Sequence, residues 1–277
     1  MKKIAVLGPQ GTNGHEVARN VMHVMCEDIV FCKRNEDILE LCARGECAGV
    51  VPIENSSRGL VREAVDFWMS HMDLPLPFSV MGEAQIPIAH SLLVSSKCAD
   101  VRSVRVVKSH PQALGQCSKI IAELGAQTAP TSSTAEAARE VSVDNLSDTA
   151  AIASSFAAEV YGLVVARTKI QDHSGNATRF HILGSETPGV TGNDRTAVIF
   201  ELPNRRGTLA SVLIPIGSLG ANLSSIHSIP LGNPGVYAFY AEFDLHQDSA
   251  EGRKILACMR TLCNRVRVLG SYPQEKQ

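Results

Sequence analysis

The sequence predicts an α/β fold of two lobes, followed by a smaller βαββαβ domain. Strand-like apolar runs alternate with helix-like amphipathic runs up to about residue 185, a pattern typical of a largely parallel sheet covered by helices. Residues 185–194 have the Gly, Pro and Thr content of a linker. Beyond them the runs follow the order strand, helix, strand, strand, helix, strand, which indicates a ferredoxin-like unit.

The elements of the first region meet at strand-to-helix turns. We predict strands at residues 4–7, 48–53, 105–108 and 150–153. We predict helices at residues 15–25, 61–71, 111–124 and 154–161, and a further helix that opens at the capping box Ser133-Thr134-Ala135-Glu136. The proline-rich stretch 73–77 and the apolar run 86–94 separate two groups of units. We therefore expect a crossover to a second lobe near residues 75–90, a return near 160–170, and a ligand cleft between the lobes.

The C-terminal region has its own set of elements. Strands are predicted at residues 196–202, 222–229, 237–245 and 266–269, and helices at residues 208–219 and 250–263. The chain thus divides into a first domain at residues 1–184, a linker at 185–194 and a second domain at 195–277.

Composition excludes several classes of protein. A formal net charge of -2 gives no general attraction to nucleic acid or anionic membranes. No window contains the roughly 18 apolar residues of a membrane helix, and the N-terminal apolar run is too short for a signal peptide. The eight cysteines include no C-x-x-C pair, which favours reduced thiols in the cytoplasm. The histidines lack metal-ligand spacing, so we expect no metal site.

Polar loops follow three of the predicted strands, where an α/β fold presents side chains to a ligand crevice. The first, Gly-Pro-Gln-Gly-Thr, ends at Thr12 and suits either an anion or a plain tight turn. In the second, Glu54 could exchange a proton, whereas Asn55 could bind polar atoms or cap a helix. In the third, Ser109 is a capping candidate, and His110 is either an acid–base group or a structural hydrogen bonder.

A fourth polar segment, Asn-Ala-Thr-Arg-Phe, begins at Asn176 just before an apolar run. Thr178 offers a hydroxyl that can donate toward a departing oxygen, and Arg179 offers a planar fork suited to a carboxylate. The alternative interpretation is a turn threonine beside a surface arginine.

Together, in order and spacing, these four segments resemble the prephenate dehydratase family. The C-terminal region resembles the regulatory ACT domain of that family, in the phrases Gly-Thr-Leu from residue 207, Gly-Ala-Asn-Leu from 220, Tyr-Ala-Phe from 237 and Val-Arg-Val-Leu-Gly-Ser-Tyr-Pro from 266. The resemblance covers nearly the whole chain and implies a two-lobed, periplasmic-binding-protein-like catalytic domain followed by the ACT domain.

The resemblance implies a lyase that converts prephenate to phenylpyruvate by decarboxylative dehydration in phenylalanine biosynthesis, without a cofactor. Thr178 would donate to the leaving 4-hydroxyl, Arg179 would hold a substrate carboxylate, and Glu54 and Asn176 would complete the catalytic set. The expected substrate-binding residues are Thr12, Asn55, Ser56, Ser109, His110 and Phe180.

The resemblance also implies an amino-acid effector and a homodimer or homotetramer, because the effector site lies between paired ACT units. The expected effector-binding residues are Gly207, Thr208, Leu209, Asn222, Leu223 and Ser228. Two segments depart from the family pattern. Asn13-Gly14 replaces Phe-Ser beside the cleft, and His227-Ser228-Ile229-Pro230 replaces Glu-Ser-Arg-Pro, which removes charges that help to build a phenylalanine site. The effector is therefore phenylalanine or another amino acid, or the ACT unit only joins subunits.

Other functions remain compatible with the same fold. A relative could act on arogenate, or could decarboxylate prephenate without aromatising it, although retention of Thr178 argues against the decarboxylase. A non-catalytic sensor of amino acids or keto acids is a third hypothesis, which the presence of Glu54, Thr178 and Arg179 disfavours.

Overall fold

The computed structural model describes residues 3–25, 28–232 and 236–275 of the protein, with the backbone alone for residues 22–25. They form two α/β lobes and a C-terminal βαββαβ domain, each built on its own sheet. This organisation agrees with the predicted fold. Seven of the eight cysteines are free thiols, and Cys26 lies outside the described residues.

Six strands form the sheet of the first lobe: β1 (Lys3–Leu7), β2 (Asp28–Cys32), β3 (Ala48–Asn55), β4 (Gly59–Leu60), β5 (Ser79–Pro87) and β11 (Ala177–Gly184). The order is β2-β1-β3-β11-β5, with β4 beside β3. Helices α1 (Asn13–Met25), α2 (Asn35–Ala43) and α3 (Arg62–Ser70) complete the lobe. Strands β1 to β3 are parallel, whereas β11 is antiparallel to β3 and β5 because it returns from the second lobe.

The sheet of the first lobe is covered on both faces. Val17 and Ala18 of α1 pack on one face, against Ile4, Val6 and Val50. The opposite face packs against α2, α3 and the C-terminal domain in one continuous core. Strand β5 was not predicted because its pattern is polar at Glu83 and Gln85, two positions that face the domain interface.

The second lobe has five strands: β6 (Ser91–Val94), β7 (Val106–Ser109), β8 (Gln127–Pro130), β9 (Thr149–Ala153) and β10 (Val164–Arg167). Their order is β10-β6-β9-β7-β8. Its helices are α4 (Pro111–Gln116), α5 (Ser118–Leu124), α6 (Thr134–Asp144) and α7 (Ser155–Tyr161). The predicted cap of α6 is confirmed, since the Ser133 hydroxyl accepts the backbone N–H of Glu136 at 3.0 Å.

The chain crosses between the lobes at residues 88–90 and returns at residues 168–176. The two crossing segments are hydrogen bonded to each other, with the N–H of Ile88 donating to the carbonyl of Asn176 at 2.8 Å. The crossover lies at the end of the predicted range 75–90, and the return begins within the predicted range 160–170 but extends beyond it. Residues 73–77 join α3 to β5 within the first lobe, and Val164–Arg167 is an edge strand of the second lobe. Proline content marks a loop but does not show which sheet the next strand joins.

The C-terminal domain consists of β12 (Asp194–Glu201), α8 (Thr208–Ser218), β13 (Leu223–Pro230), β14 (Tyr237–Phe243), α9 (Ala250–Leu262) and β15 (Arg265–Pro273). The strand order is β13-β14-β12-β15, with both helices packed on one face. The other face packs on the first lobe through Tyr240 and Tyr272. On β15, Arg267 donates to carbonyls of the turn that follows α3, including that of Leu74 at 2.7 Å, and a cation is favoured near the C-terminus of a helix.

Gly270 of β15 lies against the backbone of Val80 in β5. A Cβ atom at position 270 would stand 2.0 Å from the Val80 carbonyl oxygen. We therefore expect Gly270→Ala to separate the two strands and to lower the free energy of unfolding by roughly 1–3 kcal/mol, as measured by urea denaturation. Gly217→Ala is the matched control, because nothing lies within 4 Å of its Cβ position in α8. Equal destabilisation by both substitutions would contradict this account.

Candidate active site

A cavity of about 350 Å³ lies between the two lobes. It is lined by Leu7, Asn13, Asn55, Ile88, His90, His110, Gln112, Ala113, Gln116, Ser132, Ser133, Thr134, Asn176 and Thr178. Among these lining residues there is no aspartate, glutamate, lysine or arginine. The cleft is therefore polar but carries no fixed side-chain charge.

Helix N-termini supply the electrostatic character of this cleft. Helix α1 begins at Asn13, α4 at Pro111 and α6 at Thr134, and residues at all three starts line the cavity. The first turn of a helix presents unpaired backbone N–H groups and the positive end of the helix dipole. At α4 the first residue is Pro111, which has no N–H, and His110 accepts the N–H of Gln112, so the starts of α1 and α6 are the ends that favour an anionic ligand without an arginine or lysine in the cavity wall.

Asn55 determines how the Thr178 hydroxyl is oriented. The Oδ1 atom of Asn55 accepts the backbone N–H groups of Ser57 at 3.1 Å and Arg58 at 3.2 Å, which identifies the opposite end of the amide as its NH₂ group. That NH₂ group donates to Thr178 Oγ1 at 3.0 Å, to Asn176 Oδ1 at 2.8 Å and to the carbonyl of Ala177 at 3.1 Å. Because an amide N–H only donates, the hydroxyl of Thr178 accepts from Asn55 and keeps its own hydrogen for a ligand.

A β-bulge in β3 makes this contact between Asn55 and Thr178. Phe180 of β11 pairs with Pro52, and the residue before it, Arg179, pairs with Glu54. Ile53 is therefore the extra residue of β3. Without the extra residue, side-chain alternation would place Asn55 on the wrong face of the sheet. The bulge therefore brings Asn55 beside Thr178 and Glu54 beside Arg179.

Arg179 lies on the opposite face of the sheet from Thr178, because successive side chains of a strand alternate. Its guanidinium contacts Glu54 at 2.9 Å, Glu83 at 3.1 Å and Glu242 of the C-terminal domain at 2.8 Å. The prediction that Arg179 and Glu54 face the same ligand as Thr178 is therefore wrong for this structure. Arg179 borders a different cavity at the interface with the C-terminal domain, and Glu54 belongs to the cluster of carboxylates around its guanidinium.

The other predicted residues divide between the cleft and the supporting structure. Asn176 and His110 line the cleft, and His110 caps α4 by accepting the N–H of Gln112 at 3.2 Å. The Ser109 hydroxyl is fully buried and donates to the carbonyl of Ile152 at 2.6 Å, so Ser109 neither caps α4 nor reaches a ligand. Phe180 is buried beneath α1 in the core of the first lobe.

Thr12 and Ser56 also serve the local backbone. The Thr12 hydroxyl accepts the N–H of His15 at 3.3 Å at the start of α1 and donates to the Leu7 carbonyl at 2.8 Å. The Ser56 hydroxyl accepts the N–H of Ala177 at 2.9 Å and so ties the second polar loop to the start of β11. Thr12 therefore supports the cleft without lining it, whereas Ser56 lines an adjoining cavity of about 300 Å³ that shares Ile88, His90, Gln116 and Asn176 with the cleft.

Sequence reasoning missed several residues of the cleft. His90 is 7% exposed, and its Nε2 lies 3.1 Å from Gln116 Oε1. Burial lowers the pKa of His90, so the imidazole is neutral near pH 7. Ser132 was not singled out, and Ser133 and Thr134 were predicted only as part of a capping box, although all three line the cavity. Asn13, which the family resemblance already placed beside the cleft, does line it.

The six predicted effector residues fall into two groups within one chain. Ser228 is level with the end of β12 across the intervening strand β14, and that end leads to Gly207, Thr208 and Leu209 at the start of α8. Leu223 pairs with Phe243 at the opposite end of the sheet, and Asn222 precedes it. A single chain therefore does not bring all six residues to one site.

Residues 4–188 match the family model described as prephenate dehydratase. The chain belongs to the prephenate dehydratase family. This match confirms the predicted family, and membership makes the protein a lyase of phenylalanine biosynthesis. Across the described ranges, no helix is long and apolar enough to cross a membrane. The same residues contain no cluster of three or more His, Cys, Asp or Glu side chains that could hold a metal ion.

Relatives of this prephenate dehydratase family member align over nearly its whole length. The chain is 33% identical to the prephenate dehydratase of Amycolatopsis methanolica, covering 98% of this chain and 88% of that protein. It is 31% identical to arogenate dehydratase/prephenate dehydratase 2 of Arabidopsis thaliana, a chloroplastic protein. That alignment covers 98% of this chain and 72% of the Arabidopsis protein. It matches the crystal structure of the Arthrobacter aurescens prephenate dehydratase in complex with L-Phe with a TM-score of 0.85 and 30% identity, covering 98% of this chain and 90% of that one.

Glu242 makes the stability of the domain interface dependent on pH. Burial opposes ionisation of Glu242, but hydrogen bonding to His181 and the charge of Arg179 together lower its pKa from 4.5 to about 2. A pKa that is lower in the folded state adds stability above the unfolded value, and this stability is lost as the pH falls from 4.5 toward 2. We expect wild-type protein to lose unfolding free energy more steeply than Glu242→Gln below pH 4.5, with a linked contribution on the order of 3 kcal/mol. Parallel pH curves from urea denaturation would rule out this linkage.

Proposed function

We propose that prephenate is converted to phenylpyruvate in the cleft between the lobes, with Thr178 as the hydrogen-bond donor to the leaving 4-hydroxyl. The observation that carries this assignment is the Asn55 network, which leaves the Thr178 hydroxyl hydrogen available to a ligand. In the reaction, the bond from the ring to its carboxylate breaks and CO₂ departs. The electron pair enters the ring, the C4–O bond breaks, and hydroxide leaves and takes a proton from solvent to become water.

The electrostatics of the cleft suit this reaction. The helix starts at Asn13 and Thr134 can bind the side-chain carboxylate of the dianion. No arginine or lysine lines the cavity to hold the ring carboxylate, which must be lost. Tight binding of that group would stabilise the ground state and slow the reaction. Aromatisation provides the driving force, so the protein mainly orients the ring and stabilises the leaving oxygen.

The lining of the cleft favours prephenate over arogenate. Arogenate carries an ammonium where prephenate carries a keto group, and a buried ammonium needs a carboxylate or several acceptors. No carboxylate side chain lines the cavity. Discrimination therefore arises from the lack of a counter-charge for the amine.

The first test compares turnover of prephenate and arogenate by wild-type protein and by Thr178→Val. We expect wild-type protein to form phenylpyruvate, measured by its absorbance in alkali, with a higher kcat/KM for prephenate. Thr178→Val should lower kcat by roughly 10²–10⁴-fold, because the donor to the leaving oxygen is lost while the volume is kept.

Thr178→Ser is the matched control, since it keeps the hydroxyl and should retain much of the activity. Full activity in Thr178→Val would refute the assigned role. A product that retains the hydroxyl would identify a decarboxylase, and tight binding without turnover would identify a sensor.

The C-terminal domain acts as an ACT-type regulatory unit in a cytoplasmic dimer or tetramer. Strand β13 forms an edge of its sheet in the described structure, with Ile226 37% and the neighbouring Tyr237 42% exposed. Such an edge can pair with a second copy. Pairing would also bring together the two groups of predicted effector residues from different chains. The Arthrobacter relative was crystallised with L-Phe, which supports an amino acid as the ligand.

Light scattering and calorimetry test this regulatory assignment. We expect a mass of at least twice that of the chain. We expect L-phenylalanine to bind weakly and to inhibit weakly, because His227 and Ile229 supply no pair of opposite charges and Ile229 is buried against the first lobe. A monomeric protein would exclude the paired unit, whereas strong inhibition by phenylalanine would show that those charges are dispensable.

A further inference from the structure

The side chain of Arg179 joins the catalytic strand β11 to the C-terminal domain. Its Nη2 atom contacts Glu54 of the first lobe at 2.9 Å, and its Nη1 atom contacts Glu242 of β14 at 2.8 Å. Arg179 itself is 10% exposed, and Glu242 is 1% exposed. Because both side chains are buried, water cannot replace either partner. Each charge is therefore stabilised mainly by the other.

The surroundings of this ion pair hold Glu242 in place. The Tyr240 hydroxyl donates to its carboxylate, and the Ser224 hydroxyl of β13 donates to its backbone carbonyl at 3.2 Å. Glu83 of β5 bridges Arg179 at 3.1 Å and Arg195 of β12 at 2.8 Å. The guanidinium of Arg179 is therefore fixed from both domains at once, and its planar fork matches this arrangement.

Thr178 and Arg179 are consecutive residues of β11, so the backbone cannot shift at one without shifting at the other. On the cleft side, the Thr178 hydroxyl must remain 3.0 Å from the amide of Asn55 to point its hydrogen at a ligand. A displacement of about 1 Å of a group that acts in the transition state can cost as much as 10²-fold in rate.

We propose that Glu242 is a positioning residue for the reaction, which sets the place of Thr178 through the guanidinium of Arg179. The proposal rests on the proposed function of Thr178. In this proposal, the position of strand β11 depends on a side chain of the C-terminal domain. Arg179 transmits that position and does not bind the substrate, which is the role that the sequence suggested for it. Strand β13, which carries Leu223 and Ser228 of the predicted effector set, hydrogen bonds directly to the strand that bears Glu242.

The decisive measurement is the kinetics of Glu242→Gln in the full chain with prephenate. We expect kcat to fall by roughly 10- to 100-fold while KM changes less than about twofold, since positioning of Thr178 matters in the transition state. Glu242→Asp keeps the charge and should recover part of the loss. Glu201→Gln is the matched control, because Glu201 pairs with Arg265 at 2.7 Å in the same sheet and does not contact Arg179.

A double variant separates positioning from general destabilisation. In a Thr178→Val background there is no hydroxyl to position, so adding Glu242→Gln should not lower kcat further. Additive losses, an unchanged kcat in folded Glu242→Gln, or a raised KM with unchanged kcat would each overturn the proposal.

Two further measurements cover the remaining outcomes. If Glu242→Gln does not fold, Tyr240→Phe removes only the hydroxyl that holds Glu242 and is expected to lower kcat in the same way; normal kinetics there would overturn the proposal. If wild-type protein fails to convert prephenate, the proposed function fails by itself. The methyl resonance of Thr178 then still tests the link, because it should move in Glu242→Gln and not in Glu201→Gln, and an unmoved resonance would refute it.

Discussion

The alternation of side chains along β11 decides which residues face the cleft and which face the C-terminal domain. Thr178 points into the cleft, and Arg179, one residue later, points into the interface with the C-terminal domain. The bulge at Ile53 of the neighbouring strand provides each of these side chains with its partner, Asn55 on one face and Glu54 on the other. The cleft and the domain interface therefore receive adjacent residues of one strand, separated only by the thickness of the sheet.

This division also explains the electrostatics of the two faces. The cleft has helix N-termini and neutral side chains, which can hold a dianion without fixing the carboxylate that must leave. The interface holds Arg179 and Arg195 among the carboxylates of Glu54, Glu83 and Glu242. Burial makes these interface charges interdependent, because water cannot replace a missing partner. The guanidinium of Arg179 thus lies outside the cleft, where it binds carboxylates of both domains.

The C-terminal domain and the first lobe are packed together as one unit. One face of its sheet belongs to the same apolar core as the first lobe, with Tyr240, Tyr272 and Leu269 packed beside Val51 and Ile53. The helices cover its other face, and the edge at β13 stays unpaired within the described chain. The domain is therefore joined to the first lobe through a buried face, while its β13 edge remains open among the described residues.

The sequence by itself determined the order of elements in the C-terminal domain, the capped start of α6 and the family, because hydrophobic periodicity, capping residues and motif order are local properties. It also identified Asn55, Asn176, His110 and Thr178, which line the cleft. Only the tertiary structure decided that Arg179 and Glu54 face the C-terminal domain, that Ser109 and Phe180 are buried, and that His90 and Ser132 belong to the site. The face of a sheet on which a residue lies depends on strand register, on bulges and on the packing of distant segments. None of these can be derived from the local sequence pattern.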